Sequence, residues 1–451
     1  MKSWHRSQGE EELLQRFEAG RSRGKSVYFD IEEYEQIIDQ YILREEFDMA
    51  EKALESARAI HRDSDTLRMK AARICLFRKR PEEALSLLGR QNDEEALILR
   101  AAAWLQQGRQ EQAFRLFDDI IAGSDLEKEY TLLDIAEQLV YYHYYKEALE
   151  KLETAWSINP SLTDIYDLAV ECCDRLHDEE GCIRFYQREL DVYPYDSSVW
   201  ASLSELYFRR KDYEAGIDAM EFALASSRSY NPLWAEQLGQ AYTEMNDFGQ
   251  ALKHYQAARQ AYLEQYGQED GNLLGEIAEC YEKLGRFDEA LDGYHRCLKV
   301  NPDDDDAYVG IGICLAAKQE YQQSLQAYEQ ALRLNPHNPD VWSCVGELFT
   351  LTENFDQAVE AYRLALDLNS EQPDIWFTLG NLLFTQDEFA QALQAYEQAL
   401  RLDPEIENLH LFAALACRIL GLDEQAEDYL AQAVLRDPEA RKTYESILNE
   451  S

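Results

Sequence analysis

A period of 34 residues is the feature that most restricts how this 451-residue chain can fold. The period is clearest in the last third of the chain, where four repeats begin at Asp305, Pro339, Pro373 and Glu407. The fourth place of these repeats holds a large side chain, and the members are Tyr308, Trp342, Trp376 and His410. The eighth place holds a small residue, and the members are Gly312, Gly346, Gly380 and Ala414. Small residues also recur at the twentieth and twenty-seventh places, and proline closes most repeats.

The same frame continues toward the N-terminus with less regular spacing. Earlier repeats are expected to start near residues 31, 65, 94, 129, 163, 197, 232 and 271. The repeat at 65 is short, the repeat at 232 is long, and the repeat at 163 has Cys182 where a small residue is expected. The frame therefore predicts a tandem array over residues 31–440, an N-terminal extension or cap at 1–30 and a C-terminal capping helix at 441–451.

This pattern of large, small and proline positions resembles that of the tetratricopeptide repeat (TPR) family, in which each repeat is a helix–turn–helix. The resemblance covers about nine-tenths of the chain. It implies an all-α fold, an α-solenoid of about twelve TPR helix–turn–helix units that form a right-handed superhelix. In that fold the first helix of each repeat lines a concave groove and the second helix faces outward.

The residue types have a steric reason. Two antiparallel helices approach closely only where a side chain shrinks to glycine or alanine, and a large neighbour then fills the space. One repeat cannot bury its own apolar face, so stability comes from stacking. The frame leaves no strand-like alternation, and we expect at least about 70% helix with no β-sheet.

The chain is strongly acidic, with 87 Asp and Glu against 44 Lys and Arg and a formal charge of −43. Nucleic-acid phosphate and anionic lipid require clustered basic residues, so we expect neither nucleic acid nor a membrane as partner. The same charge favours basic protein partners, although it can also serve solubility alone. No run of 18 apolar residues, no signal-peptide pattern and nine cysteines without CxxC predict a cytoplasmic protein.

No motif with the spacing of a cofactor, metal or catalytic site is present. The eight histidines show no zinc-binding spacing, and the Asp303–Asp306 run lacks the glycine and final glutamate of a calcium loop. The segment 20–26 (GRSRGKS) is one residue too short between its glycines for a phosphate-binding loop. Cys172, Cys173 and Cys182 lie close in sequence, but core packing explains them better than redox chemistry. We expect no cofactor, no metal and no enzymatic activity.

The family resemblance implies that the fifth and ninth places of each repeat face the groove. The ninth places hold carboxylates at Asp39, Glu137, Glu171, Glu205, Glu279 and Glu347. In the repeat that begins at Pro373, the fifth place holds Phe377 and the ninth place holds Asn381. The carboxylate clamp with which some family members grip acidic chaperone tails needs Lys and Asn here, and the fifth places contain no Lys or Arg. These groove residues therefore predict that the ligands are basic peptide segments. Aromatic or apolar side chains near Phe377 and Tyr141 are expected to anchor such a peptide.

The predicted function is a non-catalytic scaffold or adaptor that binds other proteins through the TPR superhelix. The alternative is a regulatory or sensory repeat protein that changes conformation when a peptide or small ligand binds. Partners can also use the outer helices or the ends, and the inner face can be simply solvated.

Overall fold

The computed structural model describes residues 8–22, 28–62, 64–124 and 127–450. In this part of the chain 80% of the residues are helical and none lies in a strand. The all-α, α-solenoid class predicted from the repeat is confirmed. No helix within these ranges combines the length and the apolar character that a membrane span requires.

The helices are numbered in chain order. In the first part of the chain they are α1 (Gln8–Ser22), α2 (Ile31–Leu43), α3 (Phe47–Ile60), α4 (Asp65–Phe77), α5 (Pro81–Leu88), α6 (Glu94–Gln106), α7 (Gln110–Gly123), α8 (Lys128–Tyr141), α9 (Tyr145–Ile158), α10 (Thr163–Arg175), α11 (Glu179–Val192) and α12 (Ser197–Arg209). In the second part they are α13 (Tyr213–Ser226), α14 (Pro232–Glu244), α15 (Phe248–Tyr266), α16 (Gly271–Lys283), α17 (Phe287–Val300), α18 (Asp305–Ala317), α19 (Tyr321–Leu334), α20 (Pro339–Leu351), α21 (Phe355–Leu368), α22 (Pro373–Thr385), α23 (Phe389–Leu402), α24 (Leu409–Ile419), α25 (Asp423–Arg436) and α26 (Ala440–Glu450).

The chain divides into two compact units, an N-terminal unit, Met1–Arg209, and a C-terminal unit, Arg210–Ser451. The boundary falls inside the repeat that the sequence frame starts at residue 197. Below, the even-numbered helices α2–α24 are called first helices and the odd-numbered helices α3–α25 second helices. Within each unit a first helix and the second helix that follows it form an antiparallel pair. The exact number of repeats stays a prediction.

The turn inside each pair is set by one residue in the left-handed conformation. In the C-terminal unit these residues include Gly285, Gln319, Glu353, Asp387 and Gly421, each 34 residues after the last, with φ between 60° and 77°. The amide of the next residue then bonds back to the first helix, as from Glu320 to the carbonyl oxygen of Leu315 at 2.8 Å. This conformation is strained for any residue but glycine, so the stacking of the pair must offset its cost.

Packing within a pair depends on a tyrosine of the second helix lying against a glycine of the first. Such contacts join Tyr255 with Gly239, Tyr328 with Gly312, Tyr362 with Gly346, and Tyr396 with Gly380. A β-carbon added at any of these glycines would approach the tyrosine ring closer than 3.0 Å. The glycines at the eighth place therefore let the two helices of a pair approach, as the sequence frame requires.

The described contacts between neighbouring pairs of one unit also join successive first helices. In the C-terminal unit α16 contacts α18, α18 contacts α20, and α22 contacts α24, whereas successive second helices show no comparable contact within the described residues. First helices thus lie closer together than second helices. The surface formed by the first helices, called here the first-helix face, is on the inner side of each stack.

Two local irregularities of the repeat frame recur in the structure, and both ends of the chain carry an additional helix. The short repeat at 65 gives an α5 of 8 residues, and the long repeat at 232 gives an α15 of 19 residues. Helix α1 continues to Ser22, so residues 20–22 of the glycine-containing segment 20–26 are helical, not a loop. The rest of that segment lies outside the described residues. At the other end Ala440 and Tyr444 of α26 are buried beside Leu411 and Leu430.

We predict that Gly380→Leu lowers the free energy of unfolding by more than about 2 kcal/mol, because its side chain must displace the Tyr396 ring. Gly346→Leu, whose β-carbon would lie 2.9 Å from Tyr362, should behave alike. The control is Gly275→Leu in α16, where no atom lies within 4 Å of the added β-carbon. Denaturant unfolding followed by circular dichroism measures all three. Equal stability of Gly275→Leu and Gly380→Leu would contradict the packing described here.

Candidate functional site

In the C-terminal unit basic side chains are nearly absent from the first helices. Helices α14, α16, α18, α20 and α22 carry ten Asp and Glu residues and one basic residue, Lys283. The second helices α15, α17, α19, α21 and α23 carry nine acidic and seven basic residues. The basic residues of these five pairs therefore lie almost entirely on the second helices, and the first-helix face keeps an unbalanced negative charge.

Several of these carboxylates lie close enough to repel one another. The pKa of Glu276 is raised by burial and by the charges of Glu279 and Glu236, which the neighbouring Tyr255 hydroxyl opposes in part. The pKa of Asp306 on α18 is raised by burial, by its neighbours in sequence and by Glu279. Both residues are nevertheless exposed to solvent. A positive charge placed here would relieve repulsion as well as gain attraction.

Glu279 and Glu347, two of the predicted groove residues, are exposed on α16 and α20. Burial by the surrounding protein raises the pKa of Glu347, although its side chain remains in contact with water. Glu279 contributes to the raised pKa of both Glu276 and Asp306, so it lies at the centre of the acidic cluster. The structure brings Glu279 together with two carboxylates that the sequence frame did not single out.

Phe377 and Asn381, predicted as an apolar and polar pair, lie one turn apart on α22. The half-buried Phe377 ring packs 6.0 Å from that of Tyr396 and 5.9 Å from that of Phe412, centre to centre. The Asn381 side-chain oxygen accepts a hydrogen bond from the Tyr396 hydroxyl at 2.9 Å. Both residues therefore stabilise the core first, and only part of the Phe377 ring is open to a ligand.

In the N-terminal unit the predicted carboxylate Asp39 already has a partner. Lys70 of α4 donates to both Asp39 carboxylate oxygens, at 2.6 and 2.7 Å. One turn further along α4, Arg73 donates to Glu95 of α6 at 3.0 Å. Arg73 occupies the ninth place of the repeat at 65 and breaks the predicted series of carboxylates. Two of the carboxylates on the first helices α2, α4 and α6 are therefore paired with basic side chains of α4.

The other three predicted carboxylates of this unit, Glu137 on α8, Glu171 on α10 and Glu205 on α12, are exposed. They lie on three successive first helices, one on each. Tyr141, predicted as a nearby anchor, is 47% exposed at the end of α8, and its ring meets that of Phe77 edge to face at 5.3 Å. This part of the face therefore carries exposed carboxylates and an exposed aromatic side chain.

A further carboxylate of the N-terminal unit, Glu189 on α11, is buried. Only 7% of its surface is exposed. Burial and the charges of Asp167 on α10 and Asp196 before α12 raise its pKa to about 7. Glu189 stands at the twenty-seventh place of its repeat, where Ala57 and Ala155 are fully buried in two other repeats.

Sequence reasoning missed Glu189, Glu276, Asp306, Lys70 and Arg73. A signal existed for Glu189, because a glutamate at a place that wants a small residue departs from the frame. A signal also existed for Arg73, whose charge is opposite to that of the other ninth places. Glu276 and Asp306 had none, since the fifth and ninth places do not include them.

The nine cysteines are free and mostly buried, and burial is the largest cause that raises the pKa of the Cys172 and Cys173 thiols to about 12. Thiols with so high a pKa are poor nucleophiles and poor metal ligands. Within the described ranges no group of three His, Cys, Asp or Glu side chains is arranged to hold a metal ion.

We predict that Glu189→Gln stabilises the protein more at pH 8 than at pH 4.5. A pKa raised to about 7 means that folded Glu189 holds its proton where the unfolded chain, near pKa 4.5, has lost it. The stability of the natural protein then falls as pH rises through this window, and the variant lacks that fall. Melting temperatures of both proteins across pH 4.5 to 8 measure the difference, with Glu171→Gln as the exposed control. A Glu189→Gln difference that is constant across pH would contradict the prediction.

Family models match the C-terminal unit. Three described as tetratricopeptide repeat cover residues 231–303, 278–339 and 373–406, and one described as TPR repeat covers residues 346–387. The Protein CTR9 homolog of Arabidopsis thaliana is 25% identical over 246 residues, which are 52% of this chain and 20% of that protein. The chain thus spans about a fifth of the length of the curated relative that it matches.

Among solved structures, a chain of the APC/C hetero-tetramer Cut9-Hcn1 is similar to this protein. The alignment covers 91% of this chain and 93% of that chain, with 12% sequence identity and a TM-score of 0.41. The Pseudomonas aeruginosa protein pilF aligns with 49% of this chain and 97% of its own, at 19% identity and a TM-score of 0.42. The repeat frame, the helix pairs and these four family models agree that the chain contains tetratricopeptide repeats within residues 231–406.

Proposed function

We propose that this protein is a non-catalytic scaffold whose first-helix face binds basic segments of partner proteins. Tetratricopeptide repeats point to a protein-interaction scaffold in general. The finer proposal, that the ligand is basic, rests on the chemistry of the face itself. We further propose that the protein acts in the cytoplasm, since its free and mostly buried thiols suit a reducing compartment.

One observation carries the proposal, the separation of charge in the C-terminal unit. Ten acidic residues against one basic residue on five first helices leave a face whose negative charge has almost no counterion on that face. Acidic residues are divided almost evenly, with ten on the first helices and nine on the second, but seven of the eight basic residues lie on the second helices. Solubility alone gives no reason to keep basic residues off the first helices. A basic segment lying across α16, α18 and α20 would find Glu276, Glu279, Asp306 and Glu347 in succession.

Apolar contacts are available beside these charges. The ninth place of α18 is Ile313 and its fifth place is Val309, and both are half-buried. The exposed edge of Phe377 follows on α22. Exposed ion pairs are worth under about 1 kcal/mol each, so charge supplies steering and selectivity while these apolar side chains supply affinity.

The acidic face also argues against two alternatives. A carboxylate clamp for acidic chaperone tails needs basic side chains that this face lacks, and phosphate-bearing ligands such as nucleic acid would be repelled. A sensory role that changes the conformation of the stack is the second candidate function, but no described feature favours it over simple peptide binding.

We predict that the protein selects basic peptides from an array and that binding weakens as salt rises, because salt screens exposed charge pairs over about 8 Å at physiological strength. The triple variant Glu276→Gln, Glu279→Gln and Glu347→Gln should lower affinity for a selected peptide roughly tenfold at low salt. Fluorescence anisotropy with a labelled basic peptide measures the loss.

A matched control is the triple variant Glu329→Gln, Glu360→Gln and Glu397→Gln, which removes the same charge from exposed positions on the second helices α19, α21 and α23. It should leave the affinity within about twofold of the natural protein's. Equal losses in the two triple variants would show that net charge, and not the first-helix face, attracts the peptide. Selection of acidic peptides from the array would reject the proposal outright.

A further inference from the structure

Three of the first four first helices of the N-terminal unit end in an apolar side chain. The last residues of α2, α4, α6 and α8, each at the thirteenth place of its repeat, are Leu43, Phe77, Gln106 and Tyr141. Leu43 is 60% exposed and Tyr141 is 47% exposed. A single exposed apolar side chain is common on a protein surface, whereas a contiguous group of them marks an interaction site.

Ring contacts make this group contiguous. Phe47, at the start of α3 and four residues after Leu43, stacks on Phe77 with the ring centres 5.4 Å apart and the planes 17° apart. Phe77 also meets the ring of Tyr141 edge to face, with the ring centres 5.3 Å apart. Because α4 and α8 are separated in sequence by the helix pair α6 and α7, the second contact reaches past a whole repeat. We call these four residues the aromatic strip: Leu43, Phe47, Phe77 and Tyr141.

Gln106 lies beside the aromatic strip and has an unsatisfied oxygen. Its side-chain amide group donates to the carbonyl oxygen of Leu76, the residue before Phe77, at 2.8 Å. The side-chain oxygen of Gln106 is buried, and no described residue donates a hydrogen bond to it. A buried acceptor without a donor destabilises a folded protein. The folded unit therefore leaves exposed apolar surface and an unpaired polar atom in the same place.

The charged side chains next to the strip pair with one another. Arg78, which follows Phe77, forms ion pairs with Asp48 and Glu51, next to Phe47. Arg80 forms ion pairs with Glu51 and Glu83. The other charged residues in the turns after α2 and α4 are two acidic and two basic, namely Arg44, Glu45, Glu46 and Lys79. A cationic ligand would have to compete with the protein's own arginines here, so the charge of this surface favours an uncharged, apolar ligand.

We propose that the aromatic strip binds the apolar face of an amphipathic helix from a partner protein. The inference goes beyond the proposed function, because it concerns the N-terminal unit and a ligand whose contacts are apolar. It gives the scaffold a second kind of partner, which does not need the acidic residues of the C-terminal unit.

The spacing of the rings suits a helix. Side chains three or four residues apart on one face of an α-helix are about 5–6 Å from each other, and the ring centres of the strip are 5.4 and 5.3 Å apart. Side chains on one face of an extended chain are about 7 Å apart, which matches less well. We therefore expect the ligand to carry apolar anchors at positions i, i+4 and i+7.

The experiment is the selection of peptides from a random phage-displayed library on the full chain. Peptides of roughly 16 residues are long enough for about four helical turns. Washing at about 1 M salt, where the screening length falls to about 3 Å, removes peptides that only charge holds. We expect the retained peptides to share apolar residues at i, i+4 and i+7. A labelled copy of one selected peptide is then titrated with the protein, and fluorescence anisotropy measures its affinity.

Variants of the strip test where the peptide binds. Tyr141→Gln and Leu43→Gln each remove an exposed apolar contact, and each should weaken binding about tenfold. The matched control is Tyr195→Gln, which changes an 84% exposed tyrosine between α11 and α12 of the same unit. It should leave the affinity within about twofold of the natural protein's. Circular dichroism checks that each variant retains its helix content.

The outcomes separate this inference from the proposed function. Retention of no peptide, or of peptides without the i, i+4 and i+7 spacing, rejects the strip as a helix site. Equal affinity in the natural protein and in both strip variants also rejects it. If the retained peptides are basic and the triple variant Glu276→Gln, Glu279→Gln and Glu347→Gln weakens them, the proposed function stands and this inference fails. Losses confined to Tyr141→Gln and Leu43→Gln support the strip, whether or not basic peptides bind to the C-terminal unit.

Discussion

The close approach of a second-helix tyrosine to a first-helix glycine is the contact on which the rest of this structure depends. Because Gly312, Gly346 and Gly380 have no side chain, the rings of Tyr328, Tyr362 and Tyr396 lie directly against the neighbouring backbone. Each pair then has a fixed spacing, and successive first helices are drawn together on one side of the stack. That side collects whatever side chains the first helices carry, so its chemistry follows from a steric constraint.

When first helices are acidic, bringing them together causes electrostatic repulsion. The two units differ in how far basic side chains neutralise that repulsion. In the N-terminal unit Lys70 and Arg73 of α4 pair with Asp39 and Glu95 of its neighbours, so part of the face is neutral. In the C-terminal unit the repulsion between Glu276 and Glu279 has no such relief on the face. Selection for stability alone would remove such repulsion, and its presence is what a binding surface for cations requires.

The fold was predictable from sequence because the residues that determine the packing of a helix pair lie within one repeat. Glycine at the eighth place and tyrosine at the twenty-fourth determine the pair locally, and the period of 34 repeats that information. The candidate site was less predictable, since its pairs join different repeats: Lys70 reaches Asp39 across 31 residues of chain. The family frame names places that face the groove, but it does not say which carboxylate already has a partner. Asn381 is a second example, because the family frame assigns it to the groove although it accepts a hydrogen bond from Tyr396.

Glu189 shows how a departure from a repeat carries more information than agreement with it. At the equivalent place Ala57 and Ala155 are fully buried, and a small side chain there satisfies the packing at no electrostatic cost. A glutamate at this place adds volume to the core and also brings a charge between Asp167 and Asp196. Packing gives no reason for either change, and alanine would be the more stable choice. The repeat frame therefore determines which positions are buried, but at Glu189 it does not determine the chemistry of the buried side chain.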